Sequence, residues 1–422
     1  MREIVLEQLD TKVYIETLEN GLEIYLVPDE NKKNYFLTYA TKFGSDVVSF
    51  ELDDKKYTPP LGIAHYLEHK VFEEESGIDP FTFFSESGTN ANAMTTYDST
   101  KYICIGTKKF RENLRYLLKY VNSPYFTDEN VEKERGIITE EIKMYSDIPD
   151  YKLETKLRQN IYKNSPRKND IAGSIKEINK ITKEDLYNCY NSFYIPNNMF
   201  ILILGNFNIN DALEVIKEEL KNKTKEQLPK IYEEEEPIEV VKKEQTIKDN
   251  IAIPKIGLGV KISTKDIGMN KTELDLYLHI LTTIMFGSSS EFRERLRVDN
   301  ILNDIYTEWE TSNDIKTFYL YATTTKPDEL INEIKYEFEN KTITTKHFER
   351  IKKVWIANEV KLVDNIERLE SNLYDDIIRY NEIINNRIEL IRKMDIKKLN
   401  KILKQINFEN KSVLKVLCND KK

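Results

Sequence analysis

Gly62-Ile63-Ala64-His65-Tyr66-Leu67-Glu68-His69-Lys70-Val71-Phe72 is the stretch from which the rest of the chain is read. Pro59-Pro60 just upstream breaks extended structure and predicts a helix from about Leu61 to Phe72. On a helix His65 and His69 share a face, so two imidazole nitrogens can reach one ion. Glu68 lies one turn from His65 and can point to the same side. The chain has four histidines, and half of them are in this pentad. The plain alternative is a surface helix with two histidines. With so few histidines, a chance match to the pattern is on the order of 1 in several hundred.

A zinc ion that activates water typically has three protein ligands and one open position. A carboxylate beside the activated water can take its proton, and Glu68 is the candidate. The two remaining histidines are isolated. His279 lies in the apolar run Leu278-His279-Ile280-Leu281, which reads as a helix, and His347 reads as a solvated helix start. The third ligand is therefore expected to be a carboxylate. Val131-Glu132-Lys133-Glu134-Arg135-Gly136-Ile137-Ile138-Thr139-Glu140-Glu141-Ile142 is the best source. Glu134 and Glu141 are seven apart and share a helix face with Ile137 and Ile138 close by. Carboxylates on a partly apolar face need a partner, and a metal supplies one. A solvated acidic helix fits the same segment equally well.

Around these segments the chain reads as α+β. Lys12 to Thr17 and Leu22 to Val27 flank the hairpin signal Asn20-Gly21, and Tyr35 to Phe43 reads as another strand. Pro80 to Ser87 reads as a short helix. Ala91 to Thr96, Lys101 to Thr107 and Met199 to Leu204 read as strands. Helices are predicted from Arg111 to Val121, Thr127 to Met144 and Tyr151 to Tyr162. Residues 221–248 are charged with almost no aliphatic periodicity and read as a solvated linker.

Beyond the linker the pattern recurs. Ile343-Thr-Thr-Lys-His-Phe-Glu-Arg parallels Phe126-Thr-Asp-Glu-Asn-Val-Glu-Lys at an offset of 217 residues (343 − 126). The same offset carries His65 to Thr282 and Glu141 to Asn358, so the second copy has no metal motif. This predicts two copies of one α+β unit: residues 1–220 with the metal motif, and 249–422 without it.

Composition narrows the classes. At 422 residues the chain exceeds one ordinary core. A net charge of −9 and a pI near 5.4 argue against general nucleic-acid binding. Acidic residues near Met1 stand where a signal peptide needs an apolar run, and no membrane span is expected. Cys104, Cys189 and Cys418 are odd in number and far apart, which suits reduced thiols in the cytoplasm.

The segment Gly62 to Phe72, followed by Glu134-Arg135-Gly136-Ile137-Ile138-Thr139-Glu140-Glu141-Ile142, resembles the pitrilysin/insulinase family of zinc endopeptidases. Within that family it looks most like the bacterial branch related to processing peptidases. The resemblance implies that His65 and His69 are ligands of one zinc per chain and that Glu68 is the general base. It implies Glu141 as third ligand, with Glu140 the neighbouring alternative, and Glu134 orienting a ligand histidine. It further implies that Asn92 and Ala93, in Gly88-Thr89-Asn90-Ala91-Asn92-Ala93-Met94-Thr95, hold substrate as an added β-strand. In the second half, Phe286 to Arg297 resembles a stretch whose Arg and a later Tyr bind substrate. Arg297 matches the Arg. The usual spacing for the Tyr lands on Asp304, with Tyr306 two residues later.

The implied fold is two homologous halves, each a mostly antiparallel sheet covered by helices, forming a clam-shell around a chamber. The implied activity is zinc-dependent hydrolysis of peptides or unfolded segments. The alternative is a non-catalytic or partner-dependent subunit of a heterodimeric processing peptidase. With two units rather than four, a homodimer or a heterodimer with a paralogous chain is expected.

Overall fold

The run after Asn20-Gly21 folds back on the run before it, and the remaining strands assemble around that hairpin. The computed structural model describes residues 1–7, 9–265 and 267–419. It divides into two compact units, both α+β. The first comprises Met1–Ile142, Asp170–Glu233 and Val360–Asn386. Its sheet is built from β1 (Arg2–Leu6), β2 (Thr11–Thr17), β3 (Glu23–Pro28), β4 (Tyr35–Thr41), β5 (Asn90–Thr95), β6 (Thr100–Gly106) and β7 (Met199–Gly205). Their order across the sheet is β1-β2-β3-β7-β4-β6-β5. The β3/β7 pair is parallel and the others are antiparallel. On one face lie α1 (Ile63–Val71), α2 (Phe110–Val121) and α3 (Asp128–Ser146). Ile63 and Leu67 of α1, Leu114 and Leu117 of α2, and Val131 and Ile138 of α3 share one core with Leu26, Leu37 and Tyr39 of the strands.

The second unit comprises Lys143–Asn169, Glu234–Glu359 and Arg387–Lys422. Its strands are β8 (Glu244–Asp249), β9 (Lys255–Ser263), β10 (Asp304–Ser312), β11 (Ile315–Thr323) and β12 (Lys411–Cys418), in the order β8-β12-β9-β11-β10. Its helices include α4 (Pro149–Ile161), α5 (Lys271–Phe286) and α6 (Glu291–Val298). The predicted repeat is present as element order. Helices that begin at Phe110, Asp128 and Pro149 recur at Pro327, Thr345 and Ile366, each 217 residues on. In place of α1 the second copy has the apolar α5. There Thr282 is buried and accepts a hydrogen bond from Trp309 Nε1 at 2.6 Å.

Two helices cross the order of the sequence. α4 belongs to the second unit, where Leu153, Leu157 and Ile161 pack on Tyr319, Leu414 and Val416. α7 (Ile366–Tyr380) belongs to the first unit. Its Ile366, Leu369, Leu373 and Ile377 cover the sheet face that α1 to α3 leave open, against Val13, Phe36, Phe200 and Leu202. Burying each such side chain stabilises by about 1.5–3 kcal/mol. No described helix is long and apolar enough to cross a membrane.

The charged segment 221–248 differs from the solvated linker its composition predicts. Lys230–Ile231 pairs with Phe50 and Glu51, and Glu244–Asp249 is β8. Glu236 is buried and accepts hydrogen bonds from the backbone amides of Lys163 (2.9 Å), Asn164 (2.7 Å) and Ser165 (2.6 Å), beside the Lys261 ammonium. Burial alone would push its carboxyl up, but Lys261 and the three amides outweigh it and hold it below the usual carboxylate range. A depressed carboxylate contributes stability that is present above its unfolded value of about 4.3 and is lost as pH falls through the folded one. The urea midpoint is therefore expected to drop as pH falls below about 4, and Glu236→Gln to remove part of that slope.

Candidate metal centre

α1 is positioned at both ends. It starts at Gly62, whose φ of 90° is left-handed, and a Cβ there would sit 2.4 Å from the Ala172 carbonyl oxygen. Only glycine lets the helix begin so close to that loop. Ile63, Ala64, Tyr66, Leu67, Lys70 and Val71 turn inward, leaving His65, Glu68 and His69 on the opposite side. Tyr66 donates its hydroxyl to the Val131 carbonyl, and Lys70 Nζ donates to the Asn130 carbonyl at 3.2 Å. These bonds latch α1 to the first turn of α3. Arg135 steadies α3 in turn, donating to the carbonyls of Ile178 and Ile181 at 2.5 and 3.0 Å.

The latch brings three donor atoms together. Glu141 Oε2 lies 3.8 Å from His65 Nε2 and 3.4 Å from His69 Nε2. One donor atom from each of the three residues falls within 4.8 Å of the others. Two ligands about 2.0–2.1 Å from a tetrahedral zinc stand roughly 3.3 Å apart, a spacing that His69 and Glu141 match and that His65 would reach by closing in slightly. The side chains of His65, His69 and Glu141 are 13, 23 and 25% exposed, which leaves a route for water. Among the described residues this is the one group of three histidine, cysteine or carboxylate side chains so arranged. Glu141, rather than its exposed neighbour Glu140, faces the histidines.

The two imidazoles are pushed in opposite directions. Burial, with His69 beside it, holds the His65 imidazole down at about 3, so this ring is neutral across the physiological range. Burial also pulls on His69, but Glu134 outweighs it, helped by Glu68 and Glu141, and raises the ring above its ordinary value. Glu134 Oε1 accepts from His69 Nδ1 at 2.9 Å. In the neutral ring that bond places the proton on Nδ1 and leaves the Nε2 lone pair for a metal. Glu134→Gln is expected to weaken zinc binding about 10–100-fold, read by competition with a chromogenic chelator.

Glu68 stands beside the cluster. Burial pushes its carboxyl up, opposed by Thr95, whose Oγ1 donates to Glu68 Oε2 at 2.6 Å. Thr95 is absent from the residues singled out in the sequence. The signal was available: Thr95 and Ala93 lie two apart on a strand, so they share the helix-covered face, where a hydroxyl needs a partner.

Asn92 and Ala93 lie on β5, at the end of the sheet, where among the described residues β5 pairs with β6 alone. The Ala93 amide donates to Asn92 Oδ1 at 2.9 Å, so this donor faces the open edge. Arg297 and Tyr306 lie in the second unit and are not part of the cluster. Arg297 is exposed in the last turn of α6. Tyr306 is 60% exposed on the edge strand β10, with its hydroxyl 3.3 Å from Glu308 Oε2. Asp304, where the tyrosine spacing lands, accepts from Arg293 at 2.7 Å.

The chain is similar to known proteins in both sequence and fold. Residues 53–174 match the family model "Insulinase (Peptidase family M16)", and residues 180–354 match "Peptidase M16 inactive domain". A Bacillus subtilis relative named "Uncharacterized zinc protease YmfH" is 33% identical over 87% of both chains. A Rickettsia felis relative named "Uncharacterized zinc protease" is 25% identical over 85% of this chain and 82% of its own. A solved structure from Alicyclobacillus acidocaldarius, described as an M16-like peptidase, superposes with a TM-score of 0.93 at 29% identity. It covers 98% of this chain and 100% of its own. A Helicobacter pylori protease shares the fold, with a TM-score of 0.84 at 18% identity over 96% of this chain and 99% of its own.

Proposed function

Because the chain belongs to the insulinase family of peptidases, M16, we propose that it is a zinc-dependent endopeptidase acting on peptides or unfolded segments. The carrying observation is the convergence of His65, His69 and Glu141, with Glu68 beside them. His65 Nε2, His69 Nε2 and Glu141 Oε2 would hold the ion. Zinc, when bound, polarises water and a peptide carbonyl. Glu68 would receive the water's proton on its carboxylate and deliver it to the leaving amine. Asn92 and Ala93 would hold an extended peptide on the free edge of β5, a mode nearly blind to sequence. The three unpaired cysteines support a reducing, cytoplasmic location.

The test is turnover of quenched fluorescent peptides by the purified chain, with metal analysis. Near one zinc per chain is expected, with activity lost to a chelator and restored by zinc. Full activity without metal would refute the reading.

A second reading has one observation in its favour. Asp304 stands where a substrate-binding tyrosine would be expected, which supports a site completed by a partner chain in a homodimer or heterodimer. Light scattering during turnover separates the two: a fully active monomer would leave the partner without a role.

A further inference from the structure

The connection between β5 and β6 is gripped from both sides. Residues Thr96 to Ser99 close on themselves: the Thr96 amide donates to the Ser99 carbonyl at 2.8 Å, and the Ser99 amide donates to Thr96 Oγ1 at 3.1 Å. From one side, Ser45 and Asp46 donate their amides to the carbonyls of Thr96 and Tyr97 at 3.1 and 2.9 Å. Gly44 allows that approach, because a Cβ there would lie 2.4 Å from the Tyr97 carbonyl oxygen. From the other side comes α7. The Tyr374 hydroxyl is 2.7 Å from Ser99 Oγ, in a bond sealed from solvent. The Lys101 ammonium lies 4.1 Å from the centre of the Tyr374 ring and donates to both carboxylate oxygens of Glu370 at 3.1 Å. Thr38 Oγ1 donates to the same carboxylate at 2.8 Å.

The gripped turn carries Thr95 at its entrance. Thr95 Oγ1 donates to Glu68 Oε2, and its other neighbour is Thr100 Oγ1 at 3.3 Å. A path therefore runs from α7 to Ser99, across the turn through its bonds to Thr96 and the adjoining backbone, and from Thr95 on to Glu68. It passes from one face of the sheet to the other at the turn. A buried ion pair is a costly way to add stability, and its best-attested use is to fix register. Glu370 and Tyr374 are four apart on α7, so the helix that meets Lys101 through Glu370 also sets Tyr374 beside Ser99.

We propose that Tyr374 is a positioning residue for Glu68: by pinning Ser99 it holds the Thr95 hydroxyl on the Glu68 carboxylate. This rests on the reading of Glu68 as the proton-transferring group, and the experiment has an arm independent of activity. In the full chain, Tyr374→Phe removes one hydroxyl and keeps the ring. Amide hydrogen exchange across residues 95–100 is expected to speed up at least about 10-fold, while exchange in α1 and zinc stoichiometry stay as in the parent. In kinetics kcat is expected to fall about 3–10-fold with KM unchanged. Thr95→Val should reproduce the fall, Thr95→Ser should restore it, and Tyr374→Phe should cost nothing further in the Thr95→Val background. Ser99→Ala, which also loses the 3.1 Å contact of Ser99 Oγ with Thr96 Oγ1, should fall at least as far as Tyr374→Phe. Unchanged exchange at 95–100, or additive effects of Tyr374→Phe and Thr95→Val, would overturn the proposal. If Glu68→Gln left activity intact while the exchange pattern appeared, the reading of Glu68 would fail and the pinning of the turn would stand.

Discussion

Glu68→Gln is expected to lower kcat by about 10²–10⁴-fold while zinc stays bound. The glutamine keeps the size of the side chain and an oxygen to accept from Thr95 Oγ1. What it loses is the capacity to take a proton. None of the three atoms that would hold the ion belongs to Glu68, so the metal content should not change. The measurement pairs zinc per chain with single-turnover rates on one peptide. Loss of zinc together with activity would reassign Glu68 to a ligand role, and full activity would remove it from the chemistry. The pairing is informative because His65→Ala should lose both together.

Glu310→Leu is expected to destabilise the second unit by roughly 3–5 kcal/mol, the usual cost of removing one partner from a buried ionic group. Glu310 is 10% exposed on β10. It accepts from Arg158 Nη1 at 2.7 and 2.6 Å on its two oxygens, and from the hydroxyls of Tyr162 and Tyr319 at 2.9 and 3.1 Å. Arg167 Nη1 lies 3.1 Å away. Burial pushes this carboxyl up, but the two guanidinium groups outweigh it and hold it below the ordinary value, so it is ionised at neutral pH. Leucine would remove the counter-charge that Arg158 and Arg167 share, leaving Arg158 with Glu154 at 3.3 Å and Glu308 at 3.9 Å. Because Arg158 and Tyr162 belong to α4 or its end, the loss should appear as faster hydrogen exchange across 149–161 as well as a lower urea midpoint. An unmoved midpoint would show that the cluster adds nothing to stability.

The local features of the first unit were legible because each is written in a short window. Two histidines four apart specify one helix face, and the acidic run from Val131 to Ile142 names its own periodicity. Strand bounds agree to within two residues for β2 to β7, since alternation and turn residues mark them. That Glu141 meets His65 and His69 depends on the latch from Tyr66 and Lys70 to α3, which no window contains. Glu236 was hidden for the opposite reason. It sits in a run of four glutamates that reads as solvated, and only its meeting with three amides some 70 residues upstream sets it apart. The destination of α7 was hidden too, because its apolar stripe says that it is covered but not by which sheet.

The placement of α7 sets a schedule for synthesis. Once Gly205 has left the ribosome, all seven strands of the first sheet have been made, yet the face that takes Leu369, Leu373 and Ile377 has no cover. Its helix arrives roughly 175 residues later, a delay of about 10–35 s at ordinary translation rates. For that interval Phe36, Phe200 and Leu202 stand open to chaperones and to other nascent chains. A chain that stalls or is clipped before Ile366 releases a first half that carries His65, His69 and Glu141 and a bare sheet.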